Sequence, residues 1–350
     1  MKTHFQELMR LPAVRIAPLI CLPMLLLALM IAFSPPACGP MMISLPATVS
    51  EAQIQQALDI LPDSGGEVRL PPGIFEITQP LILNRSYQTL RGAGESTLLH
   101  LAAGANCPVI IMGEPADHPK RTVKYLRLAD CFIDGNRREQ QRELWRTKGE
   151  GSEIRNNGIV VQNVRNSWVE NVTCARCRSG GLVTTRDVRH LVVSEFNAFD
   201  NQFDGLACYQ TTESLFTGLY LHDNPGAGIS LDLAFNHNVV SNAVLNANDL
   251  GIFMRASRQN HFFNVTIHRS HHFGVFMADT VERKAKGWGA APETECADNV
   301  FTNLIASNCG GAAFRVNNIT CTNNVIVRAV FSNNRQGGLS LAQPDLVIVQ

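Results

Sequence analysis

Gly205-Leu-Ala-Cys-Tyr209, Gly228-Ile-Ser-Leu-Asp232, Gly251-Ile-Phe-Met-Arg255 and Gly274-Val-Phe-Met-Ala278 are four copies of one pattern, each starting 23 residues after the last. In each, a glycine is followed by apolar residues that alternate with variable ones. Gly158 and Gly181 extend the series backwards at intervals of 23 and 24, and Gly311 and Gly338 extend it forwards after longer gaps. Alternation with period two marks a strand, and recurrence at a fixed short interval marks a solenoid. The coil from Gly228 to Asp249 reads as a strand Gly228–Leu233, a corner Phe235–Asn238 and a strand Val239–Ser241. A corner at Asn242, a strand Ala243–Asn246 and a third corner complete it. Three strands and three corners per coil predict an all-β fold, a single-stranded right-handed parallel β-helix, with regular coils over 158–350.

Asn171, Asn242, Asn264 and Asn303 fall at equivalent corners. Asparagine tolerates left-handed backbone and its amide can bond the copy in the next coil, so these read as a structural ladder. Before Gly158 the coils are irregular, from Glu67–Leu70 to Val123–Ile133. Ser50-Glu-Ala-Gln53 is a capping box opening an amphipathic helix over 50–62, stopped at Pro62, which reads as an N-terminal cap for the first coil. The last residues, Asp345–Gln350, carry no visible cap, so the apolar edge is expected to meet a partner coil, a second copy of the chain or a folded-back strand.

Residues 1–38 read differently. Lys2, Arg10 and Arg15 precede an apolar run, Leu19–Phe33, then Ser34-Pro-Pro-Ala-Cys38. This is the pattern of an export signal, with an N-terminal membrane or lipid anchor as the alternative. The β-helix domain is then 39–350, in an exported protein. Formal net charge is zero, which argues against nucleic acid as a partner. Eight of the ten cysteines follow Cys38; most read as buried thiols, with Cys309 and Cys321 as a candidate bridge.

Two stretches break the period, Asn136–Asn156 and Val281–Glu295. Insertions in solenoids map to loops around a binding face. Each carries a tryptophan (Trp145, Trp288) and basic residues such as Arg137, Arg138, Lys284 and Lys286.

Positions between the inward apolar residues point outward. Coils stack about 4.8 Å apart, so Tyr209, Asp232 and Arg255 should form one row. Ser230, Phe253 and Phe276 form a second, with Arg315 beyond Arg255. Read as an exposed ion pair, Asp232–Arg255 would contribute only about 0–1 kcal/mol.

Over Ser50 to the end the chain resembles the right-handed parallel β-helix, pectate-lyase-like superfamily. The resemblance rests on Ala57-Leu-Asp, Gly65-Gly-Glu-Val-Arg-Leu-Pro-Pro-Gly-Ile-Phe and Leu90-Arg-Gly-Ala-Gly as well as on the coils. The central coils are most similar to mannuronan C5-epimerases. Asp204-Gly205-Leu206 matches the opening of that family's Asp-Gly-x-Asp-Pro-His strand, and Asp232 matches its acid one coil later. Ala207-Cys208-Tyr209 replaces Asp-Pro-His. The resemblance implies a lyase or C5-epimerase acting on an acidic polysaccharide. It implies a uronate substrate, whose chemistry needs a cation for the sugar carboxylate, a base for the C5 proton and an acid opposite. Arg255 and Arg315 are candidate carboxylate ligands, and Tyr209 a candidate base or acid with His272 as the alternative base. Asp232 would orient Tyr209 and Arg255, or join Asp200, Asp204 and Asp223 around Ca²⁺. Ser230, Phe253, Phe276, Trp288 and Lys284 are candidate substrate contacts. A glycoside hydrolase and a non-catalytic carbohydrate-binding β-helix are the alternatives. A hydrolase would need two carboxylates, of which only Asp232 is firm in the row, with Asp279 at its edge.

Overall fold

The computed structural model describes residues 41–146, 153–278 and 295–350. They form an all-β parallel β-helix of about 12 turns. The first strand of each coil stacks into a ten-stranded sheet running from Leu81–Leu83 to Leu339–Leu341. The other two faces share a sixteen-stranded sheet, because one strand continues through the shallow corner between them. Val239–Asn246 is such a strand. It bends at Asn242, whose φ is 51°, and pairing with the next coil resumes on either side as Ser241 with Phe263 and Ala243 with Val265.

Inward residues fill one continuous core. Ile229, Leu231, Val240 and Leu245 of a single coil are fully buried, and Phe262 and Phe301 stack with centroids 4.4 Å apart. The repeated glycine is demanded by crowding. A Cβ on Gly228 would lie 3.0 Å from the Gly251 carbonyl oxygen of the next coil and 2.9 Å from the Asn248 amide nitrogen.

The glycine column therefore depends on a column of buried asparagines. The Asn248 Oδ1 accepts from the Asn224 backbone N–H (3.1 Å) and side-chain amide (2.9 Å). Asn224 does the same for Asn201, at 3.2 and 3.0 Å. A second buried ladder runs through Asn238, Asn260, Asn299 and Asn324, with side-chain links of 3.2, 3.0 and 3.0 Å. The corner ladder expected at Asn242, Asn264 and Asn303 also forms, but on the exposed side, at 3.2 and 3.0 Å.

One register differs from the sequence reading. Phe314 pairs with Val275 below and Leu339 above, so Ala313, not Gly311, stands at the level of Gly274. Gly310 and Gly311 belong to the preceding corner, where the Gly310 N–H donates to the Ser270 carbonyl (2.9 Å).

The capping box forms, and the helix Glu51–Asp59 buries Ile54, Ala57 and Leu58 against the first coils. Gln55 bonds both the N–H (2.8 Å) and the carbonyl (3.2 Å) of Ile82 in the last strand of the ten-stranded sheet, imitating a further strand. A short strand not foreseen, Met41–Ser44, covers Gly66–Arg69 at the same end of the other sheet. At the C-terminus Val347–Val349 adds to Asn324–Ile326, leaving Ile348 half exposed. The eight cysteines among the described residues are buried, and burial pushes the Cys208 thiol up to about 12. Cys309 is a free thiol, so the candidate Cys309–Cys321 bridge is absent; the Cys321 side chain lies against Cys296. The candidate export segment 1–38 lies outside the described residues.

Replacing Asn248 with alanine strands the Asn224 donors and the Leu221 carbonyl in the core, at a cost of about 2–4 kcal/mol. Asn264→Ala on the exposed ladder costs under about 1 kcal/mol. Denaturant midpoints of the two variants should separate accordingly, and equal shifts would contradict the buried-ladder account.

Candidate functional site

The outer face of the ten-stranded sheet carries two rows. Val160, Val183, Ala207, Ser230, Phe253, Phe276 and Arg315 pair in that order, each with the next. One step on, Gln162 pairs with Thr185, and Tyr209 with Asp232. Arg255 reaches back over Asp232, placing Nε 3.0 Å and an η-nitrogen 2.6 Å from Oδ2, while Oδ1 accepts the Leu233 N–H (2.9 Å). Tyr209, Asp232 and Arg255 are thus vertical neighbours on one face.

Two expectations about this face change. Asp232 is only 1% exposed and Ser230 7%, so neither is an open contact for a substrate. The Asp232–Arg255 pair is accordingly a buried carboxylate held by a partly buried guanidinium, not an exposed pair. Arg315 stands level with Phe276 because of the shifted register, so it belongs to the Phe253 row and not to that of Arg255.

A concavity on this face lies over the coils that precede Asp232. It is a pocket of about 290 Å³ floored by Val160, Gln162, Val183, Thr185, Ala207 and Tyr209. Glu153, Ile154 and Arg155, from the end of the first insertion, wall it together with Asp117, Arg186, Phe203 and Asp204. Trp145 of that insertion is buried in the core and is not a wall residue.

Asp204 stands where the corner enters the strand, and its Oδ1 accepts the Ala227 N–H (2.7 Å). Burial raises its pKa to about 6, opposed by that N–H and by the charge of Arg155. Arg186 is paired with Glu153, and Arg155 with Glu143. Five residues of extended chain separate Asp204 from Tyr209, roughly 16 Å at about 3.3 Å per residue. They mark opposite ends of the pocket.

The remaining candidates lie elsewhere. Phe253 and Phe276 have centroids 5.7 Å apart, and Phe273, which the repeat pattern did not single out, joins them at 5.4 Å. Arg255 caps Phe253 and Arg315 caps Phe273, at 4.9 and 5.1 Å. His272 is bound to Asp249 (2.5 Å) in a column of backbone bonds through Phe203, Gly226 and Asp249. That column is the entering edge of the sheet, three coils from Phe203, so His272 does not stand beside Tyr209. Asp200 binds Arg137 (2.7 Å), Asp223 binds His222 (2.6 Å), and Asp204 faces the pocket, so the three do not converge as Ca²⁺ ligands. Lys284, Lys286, Trp288 and Asp279 lie outside the described residues.

A family model described as periplasmic copper-binding protein (NosD) matches residues 133–285, less than half of the chain. Among solved structures, ORF18 of Geobacillus virus E2 is 11% identical with a TM-score of 0.61, covering 88% of this chain and 61% of its own. The chain thus spans under two thirds of that viral protein. The A-module of a mannuronan C-5 epimerase from Azotobacter vinelandii is 15% identical, TM-score 0.57, covering 87% and 95%. An alginate lyase from Paenibacillus sp. is 11% identical, TM-score 0.60, covering 88% and 99%. The likeness is one of fold. No curated protein matches the sequence. Among the described residues no group of three or more His, Cys, Asp or Glu could hold a metal ion, and Met254 and Met277 are core residues. The described residues do not fit a copper centre.

Arg255→Ala should destabilise the protein by about 3 kcal/mol, because it leaves the buried Asp232 charge without its guanidinium. A loss under 1 kcal/mol in denaturant unfolding would restore the exposed-pair reading. Asp204 has a folded pKa raised above its unfolded value, so the folded form binds the extra proton. Its stability penalty is absent below about pH 4 and complete above about pH 6. Asp204→Asn keeps the acceptor for Ala227 and should gain about 1–2 kcal/mol at pH 7.5 and nothing at pH 4. Unfolding at the two pH values checks the sign.

Proposed function

We propose that this chain is an exported polysaccharide-acting enzyme of the lyase or C5-epimerase kind, working on a uronate-containing chain laid across the pocket between Asp204 and Tyr209. The observation that carries the proposal is the joining of two arginines, a carboxyl group poised near pH 6 and a tyrosine in one walled concavity on the outer face of the sheet. The epimerase and alginate lyase among the fold neighbours support the same class. A membrane or lipid anchor at the N-terminus and pairing of two copies through the C-terminal edge belong to this proposal.

In this mechanism Arg155 and Arg186 exchange their glutamate partners for sugar carboxylates, which acidifies the C5 proton. Ionised Asp204 takes that proton, being basic enough and still deprotonated near neutrality. The carbanionic centre then either expels the C4 oxygen, which leaves as a hydroxyl with the proton that Asp204 has taken and gives an unsaturated end, or takes a proton from water on the opposite face, giving the inverted sugar, while Asp204 returns its proton to solvent. Tyr209 is the second candidate for proton transfer, through its register over the Asp232–Arg255 pair.

Hydrolysis is the second reading, and a specific observation favours it. Among the described residues the pocket holds three carboxyl groups, Asp117, Glu153 and Asp204, where the sequence offered one in the row. In that reading protonated Asp204 is the general acid.

One experiment separates these. The protein is incubated with alginate, pectate and glycosaminoglycans, with and without Ca²⁺. Unsaturated ends are followed by ultraviolet absorbance, C5 inversion by NMR, and new reducing ends chemically. Activity rising with pH through about 6, and lost by at least about 100-fold in Asp204→Asn, is expected for the base role. Activity falling through the same pH, with reducing ends and no unsaturation, assigns hydrolysis. Loss in Tyr209→Phe but not Asp204→Asn moves the proton transfer to the far end of the pocket. Binding without any product leaves a carbohydrate-binding protein.

A further inference from the structure

A second concavity, of about 220 Å³, lies where the first insertion leaves the solenoid and is lined by Asn136, Arg137, Arg138, Arg176 and Asp200. Its charge is unbalanced. Arg176 donates from Nε to Asp134 (3.0 Å), and Asp134 is buried and saturated, since it also binds His100 (3.0 Å) and the Asn136 N–H (3.0 Å). Burial opposes the ionisation of Asp134, yet the hydrogen bonds from Arg176 and Asn136 hold its pKa below the usual range. Arg137 binds Asp200, and its backbone N–H donates to the Arg176 carbonyl (2.8 Å), which clamps the insertion on the coil. Arg138 is exposed and makes no hydrogen bond or ion pair among the described residues. Three guanidinium groups therefore meet at one hollow whose single lining carboxylate among the described residues, Asp200, is already paired with Arg137.

The hollow is continuous in sequence with the pocket of the proposed active site. Arg176 opens the corner that contains Ser179 and Gly180, and Asp200 opens the one that contains Phe203 and Asp204; these four residues line that pocket. The inserted segment also touches both, through Arg137 and Arg138 at its start and Glu153 and Arg155 near its end.

We infer that Arg138, with Arg137 and Arg176, forms an oxyanion-binding subsite that takes a carboxylate or sulfate group of an acidic glycan whose neighbouring sugars occupy the Asp204 pocket. Guanidinium is suited to this task because its planar fork bonds two oxygens at once. The inference rests on the proposal that the pocket receives a polysaccharide, but not on any reaction there.

Affinity for oligoalginates and sulfated glycosaminoglycan oligosaccharides, each as disaccharides and as long chains, is measured by titration calorimetry for the full chain. Among the described residues Arg138 has no hydrogen-bond or ion-pair partner to lose, so Arg138→Ala should keep the fold, which circular dichroism verifies. Arg138→Ala should weaken long chains roughly 5–10-fold, leave disaccharides unchanged, and be partly rescued by Arg138→Lys. The class of chain whose affinity drops tells whether carboxylate or sulfate is the ligand. Equal weakening at both lengths, no weakening, or no binding of either class by the wild type overturns the inference. Failure of the catalytic proposal is distinguishable. It would show as intact, Arg138-dependent binding with no product, whereas turnover of long chains with unaltered affinity in Arg138→Ala would sink the subsite alone.

Discussion

The structure depends on the hydrogen-bonding of buried corners. When each coil is laid over the last, the backbone turning between sheets comes away from water without entering a sheet of its own. Its N–H and C=O groups still need partners, because an unpaired buried group costs about 1–3 kcal/mol. The asparagines at 201, 224 and 248, and those at 238, 260, 299 and 324, supply them, their amides bonding from coil to coil. One interaction thereby sets coil height, registry and the demand for glycine alongside.

Strict registry is what allows a thin, repetitive fold to build a site. Tyr209, Asp232 and Arg255 are brought together by stacking alone. Depth comes from the interruption of the repeat. The described ends of the inserted stretch contribute to both hollows, Arg137 and Arg138 to the arginine-lined one and Glu153, Ile154 and Arg155 to the wall of the Asp204 pocket. Arginine serves different purposes in the two places. In the pocket the guanidiniums are paired with glutamates, whereas in the hollow Arg138 adds a cation with no carboxylate partner among the described residues.

The same segment explains why pocket residues differ from those that the repeat singles out. Alternation within a strand distinguishes inward from outward positions but carries no information on what lies above the outward ones. Asp232 and Ser230 satisfy the pattern and are nevertheless covered, while Asp204, one residue before the pattern starts, lies in the pocket. Arg155 and Arg186 fall outside the pattern altogether, and only their side chains' convergence marks them.

Local pattern by itself determined the parallel β-helix and the neighbourhood of Tyr209, Asp232 and Arg255, which follow from a strand period of two and a coil period of 23, and the capping helix, which follows from its capping box and helical spacing. It also carried the exposed asparagine corners. It missed the buried ladders, because an asparagine facing inward and one facing outward look alike in a sequence. It misplaced Arg315 by two residues, because the inserted stretch before Gly311 destroys the count that fixes register. Which titratable groups share a pocket, which arginine keeps a partner and which carboxyl is pushed toward neutrality were decided only by the tertiary structure. Burial and charge are properties of what surrounds a side chain, and in a solenoid most of that comes from other coils.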